Sequence, residues 1–158
     1  MNLPNPTRKG AEPSTEGTLY EAVGGRPFFD ALSVRFFERV EKDPILRPLY
    51  PYDLTEPIKN TAGFMAQFWG GGTSHYSDER GHPRLRMRHA PFRIGVAERQ
   101  AWLHHMLDAV HSMGLPMELE ARMVDYFDMA TAHLINVEDE PTDAAPSGRP
   151  APEATPGE

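Results

Sequence analysis

Residues 76–94 read Tyr-Ser-Asp-Glu-Arg-Gly-His-Pro-Arg-Leu-Arg-Met-Arg-His-Ala-Pro-Phe-Arg-Ile and form the most distinctive segment of this chain. It concentrates two histidines and five arginines in an otherwise acidic protein: Arg80, Arg84, Arg86, Arg88 and Arg93. Proline is tolerated in the first turn of a helix and stops a helix that has begun, so Pro83 and Pro91 bracket a predicted short helix. We expect His89 on its last turn, in an apolar setting formed by Leu85, Met87 and Phe92.

Two interpretations of His89 fit this pattern. A single histidine near a helix end is most often a partly buried side chain with a satisfied hydrogen bond. Alternatively, the imidazole is the axial ligand of a haem iron, and Arg88, about 100° round the helix, holds the propionates. The residues by themselves leave both interpretations open.

Composition excludes several classes of protein. The 158 residues include 16 basic and 23 acidic side chains, a net charge of −7, which argues against a general nucleic-acid or anionic-membrane surface. The absence of cysteine excludes a disulfide framework, an iron–sulfur cluster and a thiolate zinc site. We find no apolar run of membrane-spanning length and no secretory signal, so a cytoplasmic location is the default expectation.

The two ends of the chain differ from its middle. Residues 1–17 and 138–158 are rich in proline and poor in apolar side chains, which predicts a disordered arm and a disordered tail. Between them, residues 18–137 are predicted to form one domain. Apolar residues there recur at helical spacing between glycine and proline breaks, with no alternating strand pattern, so the predicted fold is all-α. Helices are expected at 19–23, from Pro27, at 45–49, from a Thr55 cap to Gly70, at 96–113 and after Pro116.

Other site chemistries fit the sequence less well. The histidines at 75, 82 and 89 are spaced by seven, but seven helical residues cover about 10 Å, too far for ligands that converge on one zinc. The arginines lack the interleaved aromatic residues of a nucleic-acid surface. We find no nucleophile elbow and no phosphate loop.

Six segments, which follow one another in the family's order along residues 19–137, resemble the group II truncated haemoglobins. They are Tyr20–Gly25, Leu46–Pro51, Gln67–Gly71, Tyr76-Ser77, Arg80–Ile94 and Arg99–Leu103. The resemblance implies a globin-like two-over-two helical sandwich around one haem b (iron). It also implies that His89 is the iron ligand, Tyr50 the distal tyrosine and Trp102 the indole over the distal haem face.

The predicted cofactor-binding residues follow from the apolar stripes and from this resemblance. Arg88, with Tyr76 as a second partner, is expected to hold a propionate. The full set is Phe37, Tyr50, Leu54, Thr61, Phe64, Met65, Phe68, Tyr76, His82, Leu85, Arg88, Phe92, Ile94, Trp102 and Met106. Tyr50, Trp102, Phe37 and Thr61 are expected to face the bound ligand.

The distal residues depart from the family pattern at two places. Phe37 stands where relatives usually have a tyrosine. The segment between Tyr50 and Trp69 looks one residue shorter than usual, with Thr61 in place of a leucine and Asn60 in place of an arginine. Both departures alter the distal pocket and leave the iron ligand unchanged.

Three functions are compatible with such a protein. The first is reversible binding and transport of O₂, or binding of another diatomic ligand such as NO or CO, by a monomer or homodimer. The alternative is a redox enzyme at the same haem, peroxidase-like or NO-detoxifying, which needs an external electron donor. A haem-based sensor is the third, and the sequence shows no output domain that would support it.

Overall fold

Every regular element that the computed structural model describes, over residues 17–89 and 92–136, is helical. The helices are α1 (Leu19–Ala22), α2 (Arg26–Val40), α3 (Thr55–Ala66), α4 (Ser77–Arg80), α5 (Leu85–His89), α6 (Val96–Ser112) and α7 (Met117–Leu134). Short 3₁₀ turns lie at Arg47–Leu49 and Thr73–His75, and α3 runs into a wider π-type turn at Gln67–Gly71. The two predicted tails lie outside the described residues, apart from Gly17.

Two helix pairs form the sandwich. Helix α2 packs on α3, α6 packs on α7, and α2 also contacts α6. Four apolar residues of α2 that recur at helical spacing are completely buried: Phe29, Leu32, Phe36 and Val40. The all-α, two-over-two arrangement expected from the sequence is therefore confirmed. None of the described helices is long and apolar enough to cross a membrane.

Two helix starts differ in detail from the predictions. Thr55 is the first residue of α3 rather than its cap, and the Asp53 carboxylate accepts the Thr55 N–H at 2.9 Å. The predicted helix at 45–49 is reduced to one 3₁₀ turn, Arg47–Leu49. Its entry is still capped, because Asp43 Oδ1 accepts the N–H groups of Ile45 and Leu46 at 2.7 and 3.1 Å.

Two glycines shape the chain where α3 ends. A side chain at Gly63 would put a Cβ only 2.3 Å from the backbone oxygen of His75, so glycine is needed for this close approach. At Gly70, within the π-type turn that follows α3, the φ angle is 109°, a conformation that other residues rarely adopt, and the helical path breaks there. The contact at Gly63 places Tyr76 beside α3.

A carboxylate–imidazole pair fixes the segment that leads to Tyr50. His105 on α6 contacts Asp43 through Nε2 and Oδ2 at 2.6 Å, and both side chains are largely buried. The hydrogen bond from His105 lowers the pKa of Asp43 below its ordinary value of 3.8, and the Ile45 and Leu46 amides act in the same direction. Ionised Asp43 therefore stabilises the native state.

Replacing Asp43 with alanine should lower stability in a pH-dependent way. The stabilisation from a depressed carboxyl pKa is complete above pH 3.8 and is lost as the pH falls through the native pKa. We expect Asp43→Ala to lower the free energy of unfolding by about 1 kcal/mol or more at pH 7, the usual effect of losing a helix cap. Urea titrations at pH 7 and pH 3 should show the difference shrinking at low pH.

Helix α6 offers a matched control for this prediction. Asp108 and His104 form an exposed pair at 3.4 Å. Because exposed pairs contribute only about 0–1 kcal/mol, Asp108→Ala should change the stability little at either pH. An equal effect of the two substitutions would show that the Asp43–His105 pair has no special stabilising role.

Candidate functional site

The described residues enclose an apolar cavity of about 350 Å³, a volume within the range of cofactor and ligand sites. It lies among α3, α5, α6, α7 and the turn before α3. The predicted iron ligand His89 lines it, and so do ten of the fifteen predicted cofactor-binding residues: Tyr50, Thr61, Phe64, Met65, Tyr76, Leu85, Arg88, Phe92, Ile94 and Trp102.

Five of the predicted residues lie elsewhere. Phe37 is buried and packs edge-on against the Tyr50 ring, with centroids 5.1 Å apart, so it supports Tyr50 from outside the cavity lining. Met106 belongs to the buried core, and Leu54 packs against that core. Phe68 is 48% exposed, and the exposed His82 accepts the Arg84 N–H through Nδ1.

The predicted surroundings of His89 need one further correction. Leu85 and Phe92 line the cavity beside it, as expected. Met87 does not contribute, because its side chain is 66% exposed. A five-residue helix presents too few turns for the sequence pattern to define which side faces inward.

The orientation of His89 is set by its own helix. Nδ1 lies 2.6 Å from the backbone oxygen of Leu85, one turn earlier. A carbonyl oxygen only accepts, so Nδ1 donates this hydrogen bond and Nε2 is the nitrogen left to bind a metal. This is the hydrogen bond that metal-binding histidines usually make with the nitrogen that does not touch the metal. The donor set therefore fits an iron ligand on the cavity wall.

A tyrosine and a tryptophan in the cavity lining form a polar pair. The Tyr50 hydroxyl oxygen accepts a hydrogen bond from the Trp102 indole N–H, the only donor on that side chain. Burial raises the pKa of Tyr50 to about 12, and the Trp102 contact opposes this shift. Tyr50 therefore keeps its proton at neutral pH, so that its hydroxyl group can donate a hydrogen bond.

Arg88 is held in place at another part of the lining. Its Nε donates to the Pro83 carbonyl and its Nη2 to the Arg80 carbonyl, each at 2.8 Å. Its guanidinium also lies 5.7 Å from the centre of the Tyr76 ring, and so does that of Arg80. The described residues show no ion pair between Arg88 and Asp78 or Glu79, so its charge is not neutralised by a neighbouring carboxylate.

The sequence did not reveal the contribution of α7 or of the helix-entry segments. The additional lining residues are Leu46, Leu49, Pro51, Pro57, Glu98, Arg99, Tyr126, Phe127, Ala130, Thr131 and Leu134. Asn60, one of the positions where the sequence departs from the family pattern, also lines the cavity. The helical repeat of α7 was apparent from the sequence but indicated only a core face. Nothing in that repeat separates side chains that cover a cavity from those that fill a core.

A two-over-two helical sandwich around an apolar cavity with a histidine in its wall is the architecture of a globin. The sequence model of the protein family described as "Bacterial-like globin" matches residues 18–136 of this chain. The chain belongs to this family.

Its relatives include group II truncated haemoglobins, as the sequence indicated. The group 2 truncated haemoglobin YjbI of Bacillus subtilis is 38% identical over 74% of this chain and 87% of its own length. A thermostable haemoglobin from Thermobifida fusca is 48% identical, with a TM-score of 0.73 over 76% of this chain and 98% of that one. A truncated oxygen-avid haemoglobin from Bacillus subtilis is 37% identical, with a TM-score of 0.71 over 76% and 100%.

Proposed function

We propose that this globin binds O₂, or another diatomic ligand, reversibly at the iron of one haem b held by His89. The observation that supports this most is the His89 ring, whose Nδ1 is bonded to the Leu85 carbonyl and whose Nε2 is left for a metal. A relative of similar structure is a truncated oxygen-avid haemoglobin. Haem b would supply the ferrous iron to which the ligand attaches.

The side chains of the cavity would perform the other tasks. His89 would bind the iron, and Arg88 would hold a propionate beside Tyr76, since a guanidinium is well suited to a carboxylate. The apolar lining, which includes Phe64, would exclude water. Tyr50 would donate a hydrogen bond from its hydroxyl group to the ligand, because a positioned donor stabilises the negative charge that develops there.

Titration with haemin tests whether the protein binds haem, which the proposed function requires. Fluorescence of Trp102, which lines the cavity, should be quenched until one equivalent of haemin has been added. Quenching that reaches no plateau near one equivalent would contradict a specific haem site.

Replacing Arg88 with alanine should make haem dissociate faster. Hydrogen bonds to charged groups contribute about 1.5–3 kcal/mol, and solvent at the cavity edge reduces this. We therefore expect the rate of haem loss to a scavenging apoglobin to rise about tenfold, which corresponds to about 1.4 kcal/mol.

Arg80 gives a matched control for the Arg88 experiment. Its guanidinium lies at the same 5.7 Å from the Tyr76 ring but is absent from the cavity lining. Arg80→Ala should therefore change the rate much less. Equal rates for the two variants would mean that the effect comes from Tyr76 packing and not from a propionate contact.

A further inference from the structure

The helix that presents His89 is too short to hold its own position. Helix α5 spans only Leu85–His89. Isolated helices shorter than about 12–15 residues are marginal in water, and the last carbonyls of any helix lack partners within it. The Phe92 N–H donates to the His89 carbonyl at 3.0 Å, and contacts from a distant part of the chain add to this local bond at the end of α5.

Asn136, two residues beyond the end of α7, makes those contacts. Its Nδ2 donates to the carbonyl oxygens of Phe92 at 2.7 Å and His89 at 3.3 Å. Its Oδ1 accepts the Ile94 N–H at 2.8 Å, and its own backbone N–H donates to the Ile94 carbonyl at 2.9 Å. One residue thus bonds to three points, the last residue of α5 and two residues beyond it, which lie 42 to 47 positions away in sequence.

These bonds act on the cavity although Asn136 itself is exposed. Ile94, whose N–H and C=O are both bonded to Asn136, is only 9% exposed and lines the cavity. The carbonyl of His89 belongs to the residue whose ring faces the cavity. A shift of this segment would therefore move the His89 ring and the Ile94 side chain together.

We propose that Asn136 is a positioning residue for His89. Its hydrogen bonds link the end of α5 to the end of α7 and so fix the orientation of the His89 ring. This inference rests on the proposed function, because it assigns Asn136 a role in how His89 meets the iron. An asparagine suits the position because one planar amide offers donors to the two carbonyls and an acceptor to Ile94.

The two sides of the amide can be tested separately. Asn136→Asp keeps an acceptor for Ile94 but replaces the Nδ2 donors with an oxygen that faces two carbonyls. Asn136→Ala removes both the Nδ2 donors and the Oδ1 acceptor. Gln100→Glu, on the exposed side of α6, is the control for the added negative charge.

Three measurements on the full-length, haem-loaded protein decide the proposal. We expect both Asn136 variants to lose haem about tenfold faster, the lower end of the range for groups that orient a metal ligand. The ferrous iron–histidine stretching band should shift in both. Hydrogen exchange of the Ile94 amide should quicken at least tenfold in Asn136→Ala and much less in Asn136→Asp.

The outcomes separate this proposal from the function on which it rests. If Asn136→Asp behaves as wild type in haem loss and in the stretching band, the Nδ2 bonds do not position His89 and the proposal is overturned. A lower melting temperature with an unchanged band in both variants also overturns it, because the role would then be purely structural. If the wild-type protein binds haem without any iron–histidine band, the proposed ligation itself is wrong, and the positioning role fails with it.

Discussion

Oxygen should leave the Tyr50→Phe variant about ten to one hundred times faster than the wild-type protein. Tyr50 lines the cavity, its pKa is raised to about 12, and its hydroxyl group therefore keeps its proton at neutral pH. A hydrogen bond to a partly charged acceptor contributes about 1.5–3 kcal/mol. Since about 1.4 kcal/mol corresponds to a factor of ten, losing this bond gives a change of one to two decades. Stopped-flow displacement of O₂ by CO measures the rate directly.

Trp102→Phe should also speed O₂ release, but through Tyr50. The indole N–H donates to the Tyr50 oxygen, and donors linked in this way polarise and orient one another. Once Tyr50 is phenylalanine, removing the indole should therefore have little further effect. If the two changes multiply in the double variant, Trp102 contacts the ligand independently of Tyr50.

Two other aromatic residues provide matched controls for these rates. Tyr52 is 97% exposed, so Tyr52→Phe should leave O₂ release unchanged. Trp69 stacks on Phe29 in the core and is not part of the cavity lining, so Trp69→Phe reports any general effect of losing an indole. If neither Tyr50→Phe nor Trp102→Phe alters the rate, these side chains do not contact or orient the ligand.

The second large effect is expected from His89→Gly. Because the imidazole is the proposed bond between chain and iron, the variant should lose haem readily and show an altered ferrous absorption spectrum. Glycine leaves space for free imidazole, which should restore the wild-type spectrum when added at millimolar concentration. Absorption spectra of the ferrous protein with and without imidazole check both expectations.

His82→Gly is the control that separates the loss of the iron ligand from the loss of any histidine. His82 is exposed and bonds only locally, to the Arg84 N–H, among the contacts described. Its removal should leave the iron ligation intact. Haem retention with an unchanged ferrous spectrum in His89→Gly would show that another residue binds the iron.

The sequence predicted the helices and the position of His89 well because both depend on local rules. Prolines and glycines mark helix ends, and α2 has enough turns for its apolar period to define a buried face. The prediction for Phe68 was less successful for a physical reason. The π-type turn at Gln67–Gly71 changes the residues per turn, so the stripe that buries Met65 does not continue to Phe68.

Contacts between distant parts of the chain were beyond the reach of sequence patterns. Nothing local indicates that Asn136 bonds to Ile94, or that Trp102 donates to Tyr50. Likewise, Phe37 was expected in the ligand pocket and instead packs against the Tyr50 ring. Each of these relations depends on how the helices are placed against one another, which the period of a single helix does not determine.

Repeated oxygenation of the ferrous, haem-loaded protein tests the central claim most directly. Absorption spectra should be recorded as O₂ is admitted and then removed under nitrogen, over several cycles. Reversible binding predicts an oxygenated spectrum that forms on each exposure and returns to the deoxygenated one when O₂ is removed. Conversion to the ferric form on the first exposure, with no stable oxygenated spectrum, would contradict the claim and is the result expected of a redox enzyme.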